Sequence, residues 1–329
     1  MNWKEKTVLV TGAGGFIGSH LVSALLDQGA RVRAMVRYNS RNSTGQLADI
    51  GYARTGGLNV VAGDIRDARF VRNAVDGCEV VFHLAALIGI PYSYVAPSSY
   101  VDTNINGTLN VLESARESGV SRVVSTSTSE VYGSAQYVPI DEAHPLQGQS
   151  PYSASKIAAD KLVESYNLSF GVPAVTLRPF NTFGPRQSPR AILPSLILQA
   201  LTSKTVRVGS LTPVRDLTYI SDTVEGFLLG GSMPGIEGET INLGTGTAYS
   251  IEELLKKTCN AIGVKPEIIV DEQRIRPEAS EVVRLVSSNE KAKAKLGWTP
   301  AVTLDEGLAR TIPWFRDNPD YFDASIYNV

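Results

Sequence analysis

Residues 125–133 read STSTSEVYG: five consecutive hydroxyl side chains, then a carboxylate, Glu130, and a phenol, Tyr132. Hydroxyls donate and accept hydrogen bonds, and a carboxylate takes protons, so the run could hold a substrate oxygen beside a base. A polar loop is the ordinary reading of such a run. Here VSRVV leads straight into it, so the hydroxyls stand at the end of a strand. Further on, YSASK sets Tyr152 and Lys156 four residues apart, one helical turn, on one face. An ammonium beside a phenol favours the phenolate, which is base chemistry. Taken alone, a Tyr-x-x-x-Lys pair also describes many exposed helices.

A third stretch, TGAGGFIG, puts Gly12, Gly15 and Gly18 in the spacing G-x-x-G-x-x-G between a strand and a helix. Glycine permits the tight turn and the close approach of backbone to a pyrophosphate. The helix that opens with Phe16 and Ile17 then offers free N–H groups and a positive dipole end to phosphate. The second strand runs into VRAMVRYNSRN, which has no acidic residue to take a ribose 2′-hydroxyl. It has Arg37, Asn39, Ser40 and Arg41, which favours NADP over NAD. Arg37 stacked on adenine or turned to water remains the alternative. Asp64, followed by Ile65, ends the third strand; it reaches an adenine amino group or simply caps the strand.

The elements that position these groups follow from periodicity. Short β-branched runs at 7–12, 32–36, 58–63 and 79–85 alternate with helical segments such as 16–29. Buried strands spaced by helices predict an α/β fold, a Rossmann-type doubly wound parallel sheet. Segments 99–119 and 150–171 read as long helices. Residues 86–97, ALIGIPYSYVAP, read as a long loop placed to line a pocket, with Ser93 and Tyr94 as its candidate contacts. Past 178 the texture turns to prolines and irregular segments, predicting a smaller C-terminal α/β substrate lobe over 178–329 beside a dinucleotide-binding domain over 1–177. Segments near 215–247 are expected to return to the first domain. Ser250 with Glu253, and Thr303 with Glu306, form capping boxes that start two helices.

The bulk numbers exclude other classes. At 329 residues the chain exceeds one ordinary domain. Lys plus Arg total 31 against 33 Asp plus Glu, a net charge of −2, which gives no footprint for nucleic acid or a membrane surface. Cys78 and Cys259 are far apart, and His20, His83 and His144 are scattered, so reduced thiols and no metal site are expected. The opening MNWKEKTVLV reads as a strand, and the default location is the cytoplasm.

Taken together, the glycine loop, YSASK and the hydroxyl-rich strand resemble the extended short-chain dehydrogenases, specifically the nucleotide-sugar epimerases and dehydratases. HLAA (83–86), RPFNTFGPRQ (178–187), RDLTYISD (215–222), INLGTG (241–246) and LGWTP (296–300) are similar to landmarks of that group, so the resemblance runs nearly end to end. It implies that Tyr152 deprotonates a sugar hydroxyl while hydride leaves for a tightly bound, recycled nicotinamide. Lys156 assists, and Thr128 bonds the same oxygen. Leu84, Ala85 and Ala86 are implied to line the cofactor. A 4-epimerase needs no further base. A 4,6-dehydratase removes the carbon-5 proton, expels water from carbon 6 and returns the hydride there, and Thr128-Ser129-Glu130 resembles the dehydratase triplet with Glu130 as that base. Ser129 stands where better-known sugar dehydratases keep an aspartic acid, whereas dehydratases acting on GDP-mannose share Thr-Ser-Glu. Which group protonates the leaving hydroxyl stays open.

The local wording resembles a bacterial branch that makes 4-keto-6-deoxy derivatives of UDP- or GDP-linked N-acetylglucosamine on routes to legionaminic-acid-type surface sugars. A 4-epimerase and a non-catalytic NADP-binding regulator are the alternatives. By resemblance, Asn181, Arg215 and Arg276 grip the substrate diphosphate. Arg186 and Arg190 are further candidates on a covering loop, and Arg178 reads as structural. Relatives pair through helices equivalent to 99–119 and 150–169, which implies a homodimer with a four-helix contact.

Overall fold

The structure, a computed structural model, describes residues 2–50, 56–274 and 282–322. Its first half alternates β1 (Thr7–Thr11), α1 (Phe16–Asp27), β2 (Arg31–Arg37), β3 (Leu58–Gly63), α2 (Ala68–Val75) and β4 (Val80–His83). Then come α3 (Ile90–Val95), α4 (Pro97–Tyr100), a π-helical turn over Val101–Asn106, and α5 (Gly107–Ser118). β5 (Arg122–Thr126) leads into a 3₁₀ turn, Ser129–Tyr132, before α6 (Pro151–Phe170) and β6 (Ala174–Pro179).

The later chain folds as β7 (Asn181–Phe183), α7 (Ile192–Thr202), β8 (Thr205–Val208), β9 (Val214–Tyr219), α8 (Ile220–Ser232) and β10 (Thr240–Leu243). It continues through β11 (Ala248–Ser250), α9 (Ile251–Ile262), β12 (Glu267–Val270), β13 (Arg284–Leu285), α10 (Glu290–Leu296) and α11 (Leu304–Asp317).

Seven strands form one sheet in the order β10–β6–β5–β4–β1–β2–β3, and every pairing is parallel. This is the doubly wound α/β sheet that the strand spacing predicts. Alternate residues feed opposite faces. Val8, Val10, Phe82 and Val124 enter the core on one side, while Leu9, Val81 and Val123 enter the core on the other. Burial on both faces explains why these strands read as continuous apolar runs. The order reverses between β1 and β4, where open α/β sheets leave a crevice at the strands' carboxyl ends. β10 joins the large sheet beside β6, whereas β7, β9, β11 and β13 make a small mixed sheet of their own. Both capping boxes are present, at the starts of α9 and α11. Cys78 and Cys259 are buried free thiols.

Two expectations need correction. Residues 86–97 are not a plain loop, because Gly89 and Pro91 start α3 and Pro97 starts α4. Proline suits a helix's first turn, where its missing N–H costs nothing. The expected single helix over 99–119 is interrupted by the π-helical turn, which places one polar side chain, Asn104, in the interior at 1% exposure.

Candidate active site

The hydroxyl run leaves β5 with alternating exposure. Ser127 and Ser129 are buried, and Thr126, Thr128 and Glu130 are half-buried. Thr128 caps the 3₁₀ turn, its hydroxyl accepting the Glu130 N–H at 3.2 Å. The same hydroxyl lies close enough to the phenol of Tyr152 on α6 to act on its titration, as does the Glu130 charge. Thr128, Glu130 and Tyr152 are therefore brought together. Lys156 lies one turn along α6 and donates its ammonium to the Thr126 carbonyl at 2.6 Å.

The expected depression of the Tyr152 pKa by Lys156 is not found. Burial pushes the phenol up, with the nearby Thr128 hydroxyl acting against it. Burial also lowers the Lys156 pKa, and the nearby Asp160 charge raises it. Tyr152 packs edge-on against Tyr100, with ring centroids 6.3 Å apart.

Two residues behind this group escaped the sequence reading. His83, set aside above as one of three scattered histidines, is 3% exposed and wedged between two threonines. Thr11 Oγ1 accepts the N–H groups of Leu84 and Ala85, so its own proton goes to His83 Nδ1 at 2.9 Å. Thr108 Oγ1 donates to the Asn104 carbonyl, so it accepts from His83 Nε2 at 3.0 Å. The ring is thus neutral and protonated on Nε2. Burial, with the Lys156 charge second, lowers its pKa from 6.5 to about 3. Asn104 accepts from the Leu87 N–H and donates to the Leu87 carbonyl and to Ser155, tying the segment after β4 to α6. No spacing rule marks either residue, because their partners come from other elements.

The glycine loop fits a dinucleotide phosphate. Gly12 has φ +69°, and a Cβ there would lie 2.8 Å from the Ala85 nitrogen. A Cβ on Gly18 would lie 2.3 Å from the Gly12 carbonyl oxygen, so this glycine lets α1 pack on its own entry turn. Gly15 has ordinary φ and meets only the Gly12 oxygen at 3.3 Å, so internal packing demands glycine there far less. It is exposed at the N-cap of α1, whose terminus no side chain among the described residues caps. That open N-terminus, begun by Phe16 and Ile17 and with Leu84 and Ala85 against Gly12, is where a pyrophosphate would sit.

Around it the expected contacts divide. Arg37, which ends β2, and Ser40 and Arg41 beyond it are exposed. Asn39 instead folds that loop, its Oδ1 accepting from Arg41 and Ser43 and its Nδ2 donating to the Arg37 and Ser43 carbonyls. Asp64 is paired with Arg66, which holds its carboxyl below the usual range, and the Arg37 charge adds to the effect. The Ile65 side chain goes to the core against Gly107, and its carbonyl accepts from Asn110.

The substrate candidates scatter more widely. Ser93 does not line a pocket: it is fully buried and donates to the Ile90 carbonyl at 2.6 Å, one helical turn back. Tyr94 is exposed. Asn181 of β7 pairs in register with Leu217 of β9, so it shares a sheet face with Arg215, two residues earlier on β9. Asn181 Nδ2 is buried without a hydrogen-bond partner among the described residues, and Arg215 is 8% exposed.

Arg186 has a partner on α1. It is held at φ +70° and donates to Nδ1 of His20 on α1 at 2.8 Å, while His20 Nε2 bonds the Pro185 carbonyl. Arg186 therefore joins the segment after β7 to α1, the helix behind the glycine loop. Arg190, exposed, acts electrostatically on Tyr100, whose ring packs on Tyr152. Arg178 is buried in an ion pair with Asp160. Arg276 lies outside the described residues.

The chain is similar to known proteins along nearly its whole length. A family model described as GDP-mannose 4,6 dehydratase matches residues 9–311. The UDP-glucose 4-epimerase of Mycolicibacterium smegmatis is 34% identical over 319 residues, covering 94% of this chain and 98% of that protein. Among solved structures, MoeE5 in complex with UDP-glucose and NAD is 32% identical with a TM-score of 0.84, covering 95% of this chain and 99% of that one. DesIV, a dTDP-glucose 4,6-dehydratase from Streptomyces venezuelae bound to NAD, is 30% identical with a TM-score of 0.84, covering 96% of this chain and 99% of that one.

Proposed function

Because the chain belongs to the GDP-mannose 4,6-dehydratase-type family of nucleotide-sugar 4,6-dehydratases and epimerases, within the extended short-chain dehydrogenases, we propose that it is a nucleotide-sugar 4,6-dehydratase. The observation that carries this reading is Glu130, half-buried in the 3₁₀ turn that Thr128 caps and near enough for its charge to act on Tyr152. A 4-epimerase has no use for a third proton-handling group at that place. A bound oxidised nicotinamide supplies the hydride acceptor for oxidation of the sugar carbon. The chain's own work is proton traffic. Tyr152 takes the proton of the sugar 4-hydroxyl, which Thr128 orients. Glu130 takes the carbon-5 proton that the 4-ketone acidifies, the carbon-6 hydroxyl departs with a proton as water, and carbon 6 takes back the hydride while carbon 5 regains a proton, which restores the oxidised nicotinamide. Asn181 and Arg215 face the diphosphate from one sheet face, with a buried amide donor and a guanidinium.

The finer features of this reading rest on local evidence. Arg37 at the end of β2 and Arg41 just past it, both exposed in a stretch (32–42) that has no acidic residue, support NADP. The wording around STSEVYG and RPFNTFGPRQ supports UDP- or GDP-N-acetylglucosamine as the substrate. Exposed Val101 and Leu168, at the π-helical turn and on α6, support pairing of two copies through those helices. The test is mass spectrometry of UDP- and GDP-N-acetylglucosamine incubated with the protein. A product lighter by one water supports the proposal. No water loss from any nucleotide hexose defeats it.

A further inference from the structure

The triplet Thr128-Ser129-Glu130 is bracketed by two residues that grip opposite ends of one buried ion pair. On its N-terminal side, Ser127 donates to Asp160 Oδ2 at 2.7 Å. On its C-terminal side, Tyr132 accepts from Arg178 Nη1 at 2.9 Å. The ends are joined, because Arg178 Nε and Nη2 both reach the same Asp160 oxygen, at 3.1 and 2.9 Å. Asp160 and Arg178 are 6% and 5% exposed. Tyr132 is anchored further, donating to Asn242 Oδ1 at 2.7 Å, and Asn242 donates to the Ile140 carbonyl.

Asp160 also lies two helical turns from Tyr152 and one from Lys156, on the same face of α6. One carboxylate thus registers the helix that carries the phenol and ammonium against the strand end that carries the hydroxyl and carboxylate. A buried ion pair of this kind is poor evidence for stability, since apolar side chains of similar volume fill such space as well. Its shared-oxygen geometry suits a part that fixes two elements in one arrangement.

We propose that the Asp160–Arg178 pair, through Ser127 and Tyr132, is the positioning device that holds Glu130 at the distance from Tyr152 needed to couple oxidation with elimination. Resting on the dehydratase reading, the device concerns the second proton transfer. Oxidation draws on Tyr152, Lys156 and Thr128, while elimination requires Glu130 to be in place as the ketone forms. Loosening either bracket lets the 3₁₀ turn drift while α6 stays put.

Asp160→Asn is a poor test, because an unpaired buried guanidinium threatens folding itself. Ser127→Ala and Tyr132→Phe leave the ion pair intact and each remove one bracket. In each variant, water loss is expected to fall by roughly 10²-fold, the cost of a misplacement of about 1 Å, with KM for the nucleotide sugar nearly unchanged. Reduced nicotinamide is expected to build up during turnover, because oxidation outruns elimination. Ser127→Thr, which restores a hydroxyl, is expected to restore the wild-type partition. A melting temperature that falls while water loss and nicotinamide absorbance stay as in wild type overturns the proposal and leaves the network a structural part. A wild-type protein that releases no water from any nucleotide hexose overturns the dehydratase reading, and this device with it. Wild-type dehydration matched by both variants overturns the device alone.

Discussion

His83 makes the protein's stability fall in mild acid by an amount that can be worked out. In the folded chain its Nδ1 accepts from Thr11 and its Nε2–H donates to Thr108, so a second proton has no place. Burial and the Lys156 charge lower its pKa from 6.5 to about 3. The folded value lies below the unfolded one, so the unfolded chain binds the proton first. The contribution is complete above pH 6.5 and is lost progressively as pH falls from 6.5 toward 3. At pH 5 the loss amounts to about 2 kcal/mol, one and a half pH units at roughly 1.4 kcal/mol each. His20, whose pKa burial and Arg186 lower from 6.5 to about 4, adds a loss of the same sign. The assay is urea unfolding at pH 7.5 and pH 5 for wild type and for His83→Gln, which does not titrate. Carboxylate contributions are common to both chains and cancel in the difference of differences. The variant is expected to be less stable at pH 7.5 but to lose about 2 kcal/mol less than wild type on acidification. An equal loss in both chains refutes the assignment of a neutral, locked His83.

Two further outcomes follow from the site. Glu130→Gln keeps the side chain's size and the Thr128 cap, and is expected to slow water loss by roughly 10²–10⁴-fold, as removal of a general base does, while permitting reduction of the cofactor; a variant that dehydrates at the wild-type rate removes Glu130 from the carbon-5 role. Arg37→Ala and Arg41→Ala together are expected to weaken NADP binding by at least tenfold and to leave NAD binding within a few-fold, read by titration calorimetry, since a 2′-phosphate is best held by guanidinium pairs; equal loss for both cofactors shows that these arginines do not select between them.

Much of this architecture is legible in the sequence because the signals are local. Leu9 and Val81, zero per cent exposed, belong to apolar runs that only a sheet covered on both faces explains. The glycine spacing sits between its strand and its helix, and the capping boxes announce α9 and α11. What the sequence hides depends on partners far along the chain. His83 is defined by Thr11 and Thr108, and Arg186 by His20, 166 residues away. Ser93 was misplaced because PYSYV carries proline and aromatics, which read as an irregular lining loop; folded as a helix, the same residues turn the serine inward. The π-helical turn over VDTNIN carries no glycine or proline to mark it, yet it puts Asn104 between α6 and the strand-end segment. Asn39 and Asp64 make bonds within their own loops that no spacing in the sequence announces.

The most direct measurement uses a nucleotide-linked N-acetylhexosamine carrying deuterium at carbon 4 of the sugar. Incubated with the protein, it should give a 4-keto-6-deoxy product lighter by one water that retains the deuterium, now on carbon 6, as read by mass spectrometry and proton NMR. A product of unchanged mass, inverted at carbon 4 and still carrying its deuterium there, would contradict dehydration and make the chain an epimerase.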